Sequence, residues 1–344
     1  MTPELSTAPA AVPGPRRGLE SELLVLVLVL TAMALAPLVL SAYAQRVVTT
    51  AFLFVALAQA WNLIGGYAGL MSLAGPAFFG VSAILTAFLA VRGIHPVLAG
   101  AAGVLLAVLV AFVVGKPTLR LMGHYFVVAT LLVTEGLRNL ILNINAYGFS
   151  GGVSINLFNA TGLQHFTPAQ FNLFFYFLML AIAGVSMLVV YTFERSRSGY
   201  ALRAIRDSQR AAASVGINVA REKMKAFLIS AAMMAAVGAI WAFWLGTVET
   251  NDAFSMRLAF DVIVIVFLGG RGTLWGPIAG TVLLVAINET IGVEFPEIHQ
   301  ILSGLLVALV VLFQPDGLAG ALRGGIRSFT PSRMLSNLRR YKVK

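Results

Sequence analysis

Residues 97–115 are Val-Leu-Ala-Gly-Ala-Ala-Gly-Val-Leu-Leu-Ala-Val-Leu-Val-Ala-Phe-Val-Val-Gly, a run without a single charged side chain. A helix of about 20 residues crosses the roughly 30 Å hydrocarbon core of a bilayer and bonds all its backbone groups internally. This stretch is therefore predicted to form a membrane-spanning helix. Because similar apolar runs recur along the chain, it also decides the fold class.

The composition supports the same interpretation, since 59% of the residues are hydrophobic and only 11% are charged. A water-soluble globule could not bury that much apolar surface. We expect an all-α polytopic membrane protein with about ten transmembrane helices. The run at 256–269 is short for a full crossing, and 70–91 is alternatively re-entrant. The predicted helices are 23–42, 47–64, 70–91, 97–115, 122–142, 171–192, 224–246, 256–269, 274–290 and 298–314.

The basic side chains are concentrated between and after the apolar runs. The net charge is +10, with eight of the 24 Lys and Arg residues in 195–225 and seven in 323–344. Such asymmetry is typical of loops held in the cytoplasm beside anionic lipid, and it predicts cytoplasmic N- and C-termini. Nucleic-acid binding is the weaker alternative, because no basic region is interleaved with exposed aromatic residues.

Five regions follow from composition. Residues 1–22 are proline-rich and predicted to be a disordered cytoplasmic N-terminus, although a cleaved signal peptide is an alternative. Residues 23–318 are predicted to form the transmembrane domain, and 319–344 a basic cytoplasmic tail. Within the domain, 143–170 is an uncharged external loop, either a lid or docking surface or a bare linker. The basic loop 194–223 is expected in the cytoplasm.

Several kinds of chemistry are excluded by the residues that the chain lacks. There are no cysteines, and the four histidines are scattered without the spacing of a metal site. No Gly-x-x-x-x-Gly-Lys-Ser/Thr motif occurs, so the chain offers no nucleotide site of its own. No carboxylate cluster suits an intramembrane enzyme. We therefore expect a protein that is not an enzyme and binds no cofactor.

Residues 200–216 are rich in helix formers and are predicted to form one short cytoplasmic helix bracketed by Gly199 and Gly216. Arg203, Arg206 and Arg210 would share one face, and Leu202, Ile205 and the alanines another. The residues alone leave two possibilities open. The helix lies on lipid headgroups, or it inserts into a groove on a cytoplasmic partner.

Glycine and proline interrupt the helical pattern at 65–69 and 75–76, and again at 269–277, where we expect a tight cytoplasmic hairpin. Broken helices leave backbone groups that transporters use to coordinate solute, although small residues also permit close helix packing. Polar residues near the first break or inside other helices are candidates for the translocation pathway, with helix-packing hydrogen bonds and ion pairs to Arg138 and Arg257 as the alternatives. The candidates are Gln59, Asn62, Gly69, Ser72, Gly75, Glu135, Asn139 and Asp261.

Four strings carry a resemblance to a known family: 62–73 with Gly-Gly-Tyr-Ala-Gly-Leu, 203–223 with Arg-Ala-Ile-Arg-Asp and Ser-Val-Gly-Ile-Asn, 268–277 with Gly-Thr-Leu-Trp-Gly-Pro, and 313–318 with Phe-Gln-Pro-Asp-Gly-Leu. From about 59 to 320 the chain resembles the LivM-type permeases of branched-chain amino acid ABC transporters. The chain departs from that pattern at Gly75, where the family commonly has histidine. It departs from the general ABC-importer loop at Arg210, where that loop has glutamate.

The resemblance implies an inner-membrane permease of a bacterial importer for branched-chain or other amino acids, or for urea, short amides or aromatic acids. It implies a heterodimer with a second homologous permease, two nucleotide-binding subunits that hold ATP and Mg, and a periplasmic solute-binding protein. An ion-coupled secondary transporter is the remote alternative, and it would need a relay built on Glu135 and Asp261. Coupling to the ATPase is expected from Arg203, Arg206, Asp207, Arg210, Ala211, Ala212 and Gly216.

Overall fold

A computed structural model describes residues 19–144, 153–154 and 167–294. The predictions for 298–314 and 319–344, for most of 1–22 and for most of 143–170 concern residues outside these ranges. Residues 1–40 and 41–344 form two compact units. The first contains α1 (Leu19–Leu35) and a 3-10 turn (Ala36–Leu38).

The described part of the second unit is almost entirely helical. Its first half comprises α2 (Ala42–Asn62) with a π-helical end (Leu63–Tyr67), α3 (Gly75–Val91), α4 (Pro96–Thr118) and α5 (His124–Asn143). Its second half comprises α6 (Pro168–Glu194), α7 (Arg197–Asp207), α8 (Gln209–Ser214), α9 (Val219–Leu245), α10 (Thr250–Ala253), α11 (Met256–Gly269) and α12 (Gly276–Glu294). Two-residue strands β1 (Val153–Ser154) and β2 (Thr247–Val248) pair antiparallel.

Five helices within the described ranges are long and apolar enough to cross a membrane: 42–67, 96–118, 124–143, 168–194 and 219–245. Three shorter apolar helices lie at 22–38, 75–91 and 276–289. The predicted short helix at 256–269 has those bounds. The protein is an all-α polytopic membrane protein, as the apolar runs predict.

Helix α2 lies at the centre of the second unit and packs against α6, α9, α11 and α12. Its second half is almost completely buried. Helix α3 packs against α4 and α9, and small residues allow the close approach. A β-carbon on Gly238 of α9 would lie 2.3 Å from the carbonyl oxygen of Phe79 in α3. The bundle is therefore built on small-residue contacts that a larger side chain would break.

Helix α3 begins at Gly75, five residues later than the predicted start at 70. Residues 68–74 form an irregular segment whose backbone groups are bonded by neighbouring helices. Trp61 Nε1 donates to the Ser72 carbonyl at 2.8 Å, and Thr130 Oγ1 accepts from the Leu73 amide at 3.0 Å. Thr134 Oγ1 donates to the Leu73 carbonyl at 2.9 Å. Irregular backbone is tolerated here because protein side chains replace the missing helical bonds.

The segments predicted on the two sides of the membrane lie at different ends of the bundle. One end combines the π-helical end of α2, the segment from 194 to 223 and the turn 270–275, and it holds the basic run of 195–225. At the other end β1 pairs with β2, and Glu249, Asp252 and Glu289 lie there. Segments predicted on the same side of the membrane thus meet at the same end of the bundle.

Candidate functional site

The coupling segment, defined here as residues 196–218, consists of the two helices α7 and α8 instead of the single predicted helix at 200–216. Ser208 is extended, with φ −158° and ψ 109°, and its hydroxyl accepts from the Ala211 amide to cap α8. Gly199 does not bracket a helix but lies inside α7. Glycine is needed there because a β-carbon would be 2.2 Å from the Phe193 carbonyl oxygen. The prediction of one continuous helix was wrong.

The break at Ser208 also separates the three arginines that the sequence places on one face. Arg203 Nη2 pairs with Glu194 Oε1 at 2.5 Å, and Arg206 Nη1 donates to the Gly66 carbonyl at 2.9 Å. Both side chains therefore bind the inner helix ends. Arg210 lies on α8 and is exposed. The predicted common face was wrong because a helical repeat cannot continue through an extended residue.

The apolar side of the coupling segment is buried as predicted, at Leu202, Ile205 and Ala212. On the opposite side lies an outward surface with two charged residues, small residues and two large exposed side chains, Tyr200 and Val215, the latter 75% exposed. This outward surface comprises Tyr200, Asp207, Arg210, Ala211, Val215 and Gly216. Four of the seven predicted coupling residues thus remain available to a partner, while Arg203, Arg206 and Ala212 contact the helical bundle itself.

A buried lysine holds α8 against α9. Lys223 is only 2% exposed, and its Nζ donates to Gln209 Oε1 at 2.8 Å. Two residues further on, Lys225 Nζ pairs with Glu222 at 2.7 Å and donates to Ser198 Oγ at 3.4 Å. The coupling segment is therefore fixed to the start of α9 at both of its helices.

Gln59 and Asn62 connect α2 with the turn 270–275. Gln59 Nε2 donates to the Leu274 carbonyl at 2.7 Å. Asn62 Nδ2 donates to the Thr273 carbonyl at 2.9 Å, and its Oδ1 accepts from the Gly272 amide at 2.8 Å. Both side chains are completely buried, so these contacts match the helix-packing alternative. Gln59 Oε1 is buried without a partner among the described residues, which leaves an acceptor for a water molecule.

Ser72 and Gly75 lie beside a narrow cavity that Trp61 and Met234 also line. Its volume is about 10 Å³, which is room for one water molecule at most. A β-carbon on Gly75 would lie 3.1 Å from Met234 Sδ, so methionine occupies the space that a larger residue would need. Gly69 is not part of this cavity and contacts Arg206 instead.

Glu135 and Asn139 lie on a face of α5 that the described helices cover only in part. Arg138 pairs with Glu135 at 2.8 Å and donates to Asn251 Oδ1 at 3.0 Å. The two charged side chains are about a third exposed, at 31% and 35%. Gly136 and Asn139 are exposed beside them. We call this the α5 polar stripe, and it confirms the predicted ion pair between residues three positions apart.

Asp261 stands apart from the other candidates. Its carboxylate is 3.9 Å from Arg257 on the preceding turn of α11, as the sequence spacing suggests. Within the described ranges, no three His, Asp or Glu side chains are placed to hold a metal ion together. The candidates therefore divide between the buried inner end, the α5 polar stripe and the surface of α11.

An apolar cleft of about 680 Å³ opens between α4, α6 and α9. Its walls include Val104, Phe174, Leu178 and Phe243, and His95 lies at the start of α4. A zwitterionic or amide solute needs several hydrogen-bond partners when it leaves water. The cleft is therefore a poor solute site and resembles a surface for an apolar occupant.

Three residues of this region escaped the sequence analysis. Tyr67 is completely buried, and its hydroxyl donates to Glu194 Oε2 at 3.0 Å. Gln209 binds the buried Lys223. One signal could have indicated Glu194, because it is the only acidic residue from 194 to 206, directly before four arginines. Nothing in the sequence places Tyr67 beside it.

Comparison with known proteins gives a consistent result. Residues 43–311 match the family described as branched-chain amino acid transport system / permease component. The high-affinity branched-chain amino acid permease protein LivM of Escherichia coli K12 is 28% identical over 313 residues, covering 82% of this chain and 71% of LivM. LivH of the same strain is 32% identical over 140 residues, covering 40% of this chain and 44% of LivH. The galactose/methyl galactoside import permease MglC of Haemophilus influenzae is 27% identical over 216 residues, covering 61% of each chain.

No solved structure matches the chain. The family match runs from the start of α2 through α12, so it includes the coupling segment, the α5 polar stripe and the turn 270–275. It confirms the resemblance and contains three of its four sequence strings, while the string at 313–318 lies beyond the matched residues. The chain belongs to the family of branched-chain amino acid transport permeases.

Proposed function

We propose that this chain is a permease subunit of an ATP-driven importer, and that it passes branched-chain amino acids into the cytoplasm. One observation carries the proposal: the match to LivM covers most of this chain and most of LivM. The architecture supports it, because a coupling segment with a free outward surface lies at the basic end of a helical bundle. The chain itself performs no catalysis.

The proposal includes a second permease subunit. LivM and LivH both match this chain, and both are named as permease proteins of the same kind of transport system. A heterodimer of homologous permeases agrees with these two matches. Each subunit would then supply one wall of the pathway.

The α5 polar stripe is the best candidate for that wall. A charge facing lipid at the centre of a helix costs about 2.5–3.5 kcal/mol by insertion scales. The Glu135–Arg138 pair and Asn139 are therefore expected to face protein or water. The described helices leave the pair about a third exposed and Asn139 exposed. If this face lines the interface with the second permease, its polar groups border a water-filled pathway instead of lipid. Gln59 and Asn62 are already occupied by the turn 270–275 and fit this role less well.

Energy would come from two nucleotide-binding subunits that dock on the outward surface of the coupling segment. These subunits would bind ATP and Mg, and a periplasmic protein would deliver the solute. The basic end of the bundle is then cytoplasmic, together with both termini, in a bacterial inner membrane. Membrane lipid surrounds the remaining apolar faces.

Reconstituted transport tests the function directly. The permease, a second permease subunit, two ATPase subunits and a periplasmic binding protein would be placed together in proteoliposomes with radiolabelled L-leucine. We expect uptake that requires both ATP and the binding protein. Urea and galactose serve as competitor solutes, and preferential uptake of either would correct the solute class. Leucine uptake that persists without any ATPase subunit would contradict the proposal.

Orientation can be tested cleanly because the chain contains no cysteine. Val215→Cys and Asp252→Cys place one thiol at each end of the bundle, both at exposed positions. A membrane-impermeant maleimide should label Asp252→Cys in spheroplasts, and Val215→Cys only after permeabilisation. The reverse pattern would place the coupling segment outside the cell and would exclude its role in ATPase docking.

A further inference from the structure

A hydrogen-bonded cluster links the coupling segment to the π-helical end of α2. Glu194, at the end of α6, is the centre of the cluster. Its Oε1 accepts from Arg203 Nη2 at 2.5 Å, and its Oε2 accepts from the Tyr67 hydroxyl at 3.0 Å. The Arg203 guanidinium also lies 5.4 Å from the centre of the Tyr67 ring. One carboxylate thus bridges α7 and α2.

Arg206 makes a second link one turn further along α7. Its Nη1 donates to the Gly66 carbonyl at 2.9 Å, a backbone group at the helix end. Gly69 and Gly272, both with φ +70°, flank the arginine. A β-carbon on Gly69 would lie 2.7 Å from Arg206 Cγ, and one on Gly272 would lie 2.8 Å from Nη1. Arg206 therefore occupies a slot that only glycine backbones leave open.

The links continue into the centre of the bundle. Asn62, one turn before Gly66 on α2, binds the Gly272 amide and the Thr273 carbonyl. The turn 270–275 joins α11 to α12, and both helices pack against α2. A displacement of α7 would therefore be passed by these hydrogen bonds to both α2 and the α11–α12 turn.

The element that receives this displacement is a π-helix, Leu63–Tyr67. Such turns have wider hydrogen bonding than an α-helix and occur frequently at functional sites. It leads directly into the irregular segment 68–74, whose backbone is held by Thr130 and Thr134 of α5. In the α5 polar stripe, Glu135 directly follows Thr134, and Arg138 lies one helical turn further along α5. The described contacts thus run from the coupling segment to the proposed pathway wall.

We propose that Tyr67, Glu194, Arg203 and Arg206 are positioning residues that transmit movement of the coupling segment to the π-helical end of α2. This inference rests on the proposed function, because the movement is supplied by the ATPase. It divides the arginines of the coupling segment into two groups with different tasks. Arg210 on the outward surface contributes to ATPase binding, while Arg203 and Arg206 convert binding into helix movement.

The test compares conservative variants in the reconstituted importer, with leucine uptake and ATP hydrolysis measured on the same samples. Tyr67→Phe removes the bond to Glu194 and preserves the ring, and Arg206→Gln removes the guanidinium that binds the Gly66 carbonyl and lies 3.7 Å from Asp207. We expect both to retain the ATPase subunits on purification and to hydrolyse ATP, with leucine imported per ATP lowered about tenfold, the effect of one lost charge-assisted bond. Arg120→Gln, an exposed basic residue outside the coupling segment, should leave the ratio unchanged.

Two further variants separate transmission from simple anchoring. Arg210→Gln should weaken ATPase retention without changing the leucine imported per ATP in the complexes that remain. Exchange of the ion pair, Glu194→Arg with Arg203→Glu, should restore part of the ratio that either single change lowers. Recovery of the leucine-to-ATP ratio in the double variant would show that the two side chains interact. A general loss of folding would not be reversed by the second substitution.

The inference is overturned if Tyr67→Phe and Arg206→Gln import the wild-type amount of leucine per ATP. It is also overturned if both variants lose uptake only in proportion to the loss of assembled complex, because the residues are then anchors alone. If the wild-type complex shows no ATP-dependent uptake, the proposed function fails and this inference fails with it.

Discussion

Asn62 offers a direct test of how the inner end of the bundle is held together. Its side chain makes two hydrogen bonds to the turn 270–275, at 2.9 and 2.8 Å, and is completely buried. Asn62→Ala removes both bonds and leaves the Gly272 amide and the Thr273 carbonyl without these partners. Side-chain hydrogen bonds in membrane proteins contribute about 0.6 kcal/mol on average and up to about 1.7 kcal/mol. We therefore expect the variant to lose about 1–3 kcal/mol of stability.

Asn139→Ala is the matched control, because it removes the same side chain from an exposed position on α5. Thermal loss of the monodisperse peak in detergent measures stability, and leucine uptake per folded protein measures function. Asn62→Ala should unfold several degrees lower than wild type, while Asn139→Ala should keep the wild-type profile and lose uptake. If instead Asn62→Ala unfolds like wild type and loses uptake, the packing role derived from the two bonds is refuted and Asn62 is a solute contact.

Three other predictions concern the packing of the spanning helices. Gly238→Ala places a β-carbon 2.3 Å from a carbonyl oxygen of α3, so the yield of monodisperse protein should fall several-fold, whereas Gly136→Ala, with open space around it, should not change the yield. Equal yields of the two variants would contradict this. Arg138→Leu leaves Glu135 without its cation, so the free energy of unfolding in detergent should fall by about 1 kcal/mol. The double variant with Glu135→Leu should recover this loss, and failure to do so would show that the unpaired carboxylate is not the cause. Thr134→Val keeps the side-chain shape but removes a 2.9 Å bond to the irregular segment before α3, so stability in detergent should fall by about 1 kcal/mol. An unchanged melting profile would mean that the bond to this segment adds no stability.

The helices themselves were largely predictable from local pattern. The run at 97–115 lies inside α4, and the short helix 256–269 has the predicted bounds, because uninterrupted apolar residues leave the backbone in lipid no alternative to a helix. The break near Gly75 was also predictable, since Pro76 cannot continue a helix from before it. The start at Gly75 was not, because residues 70–74 are apolar enough for a helix and only α2 and α5 supply their partners.

The candidate site was predictable in part. The pairing of Glu135 with Arg138 followed from helical spacing, which fixes distances within one element. The direction in which Arg203, Arg206 and Arg210 point did not follow, because the break at Ser208 depends on how α7 fits against the helix ends. Asn62 and Gln59 were ambiguous for a similar reason, since a polar side chain in a helix binds either solute or a neighbouring backbone.

Charge and hydropathy can be read along the chain residue by residue, so the sequence alone determined the membrane fold class, the spanning runs and the basic end. Its four strings also indicated the permease family. Contacts between residues far apart in the chain are decided only when the helices pack. Tyr67 meets Glu194, 127 positions away, and Arg206 meets Gly66, 140 positions away, because α2, α6 and α7 converge at one end of the bundle. The apolar run at 97–115 showed that the protein folds in lipid. Tertiary packing decided which arginines contact the helical bundle and which remain free for a partner.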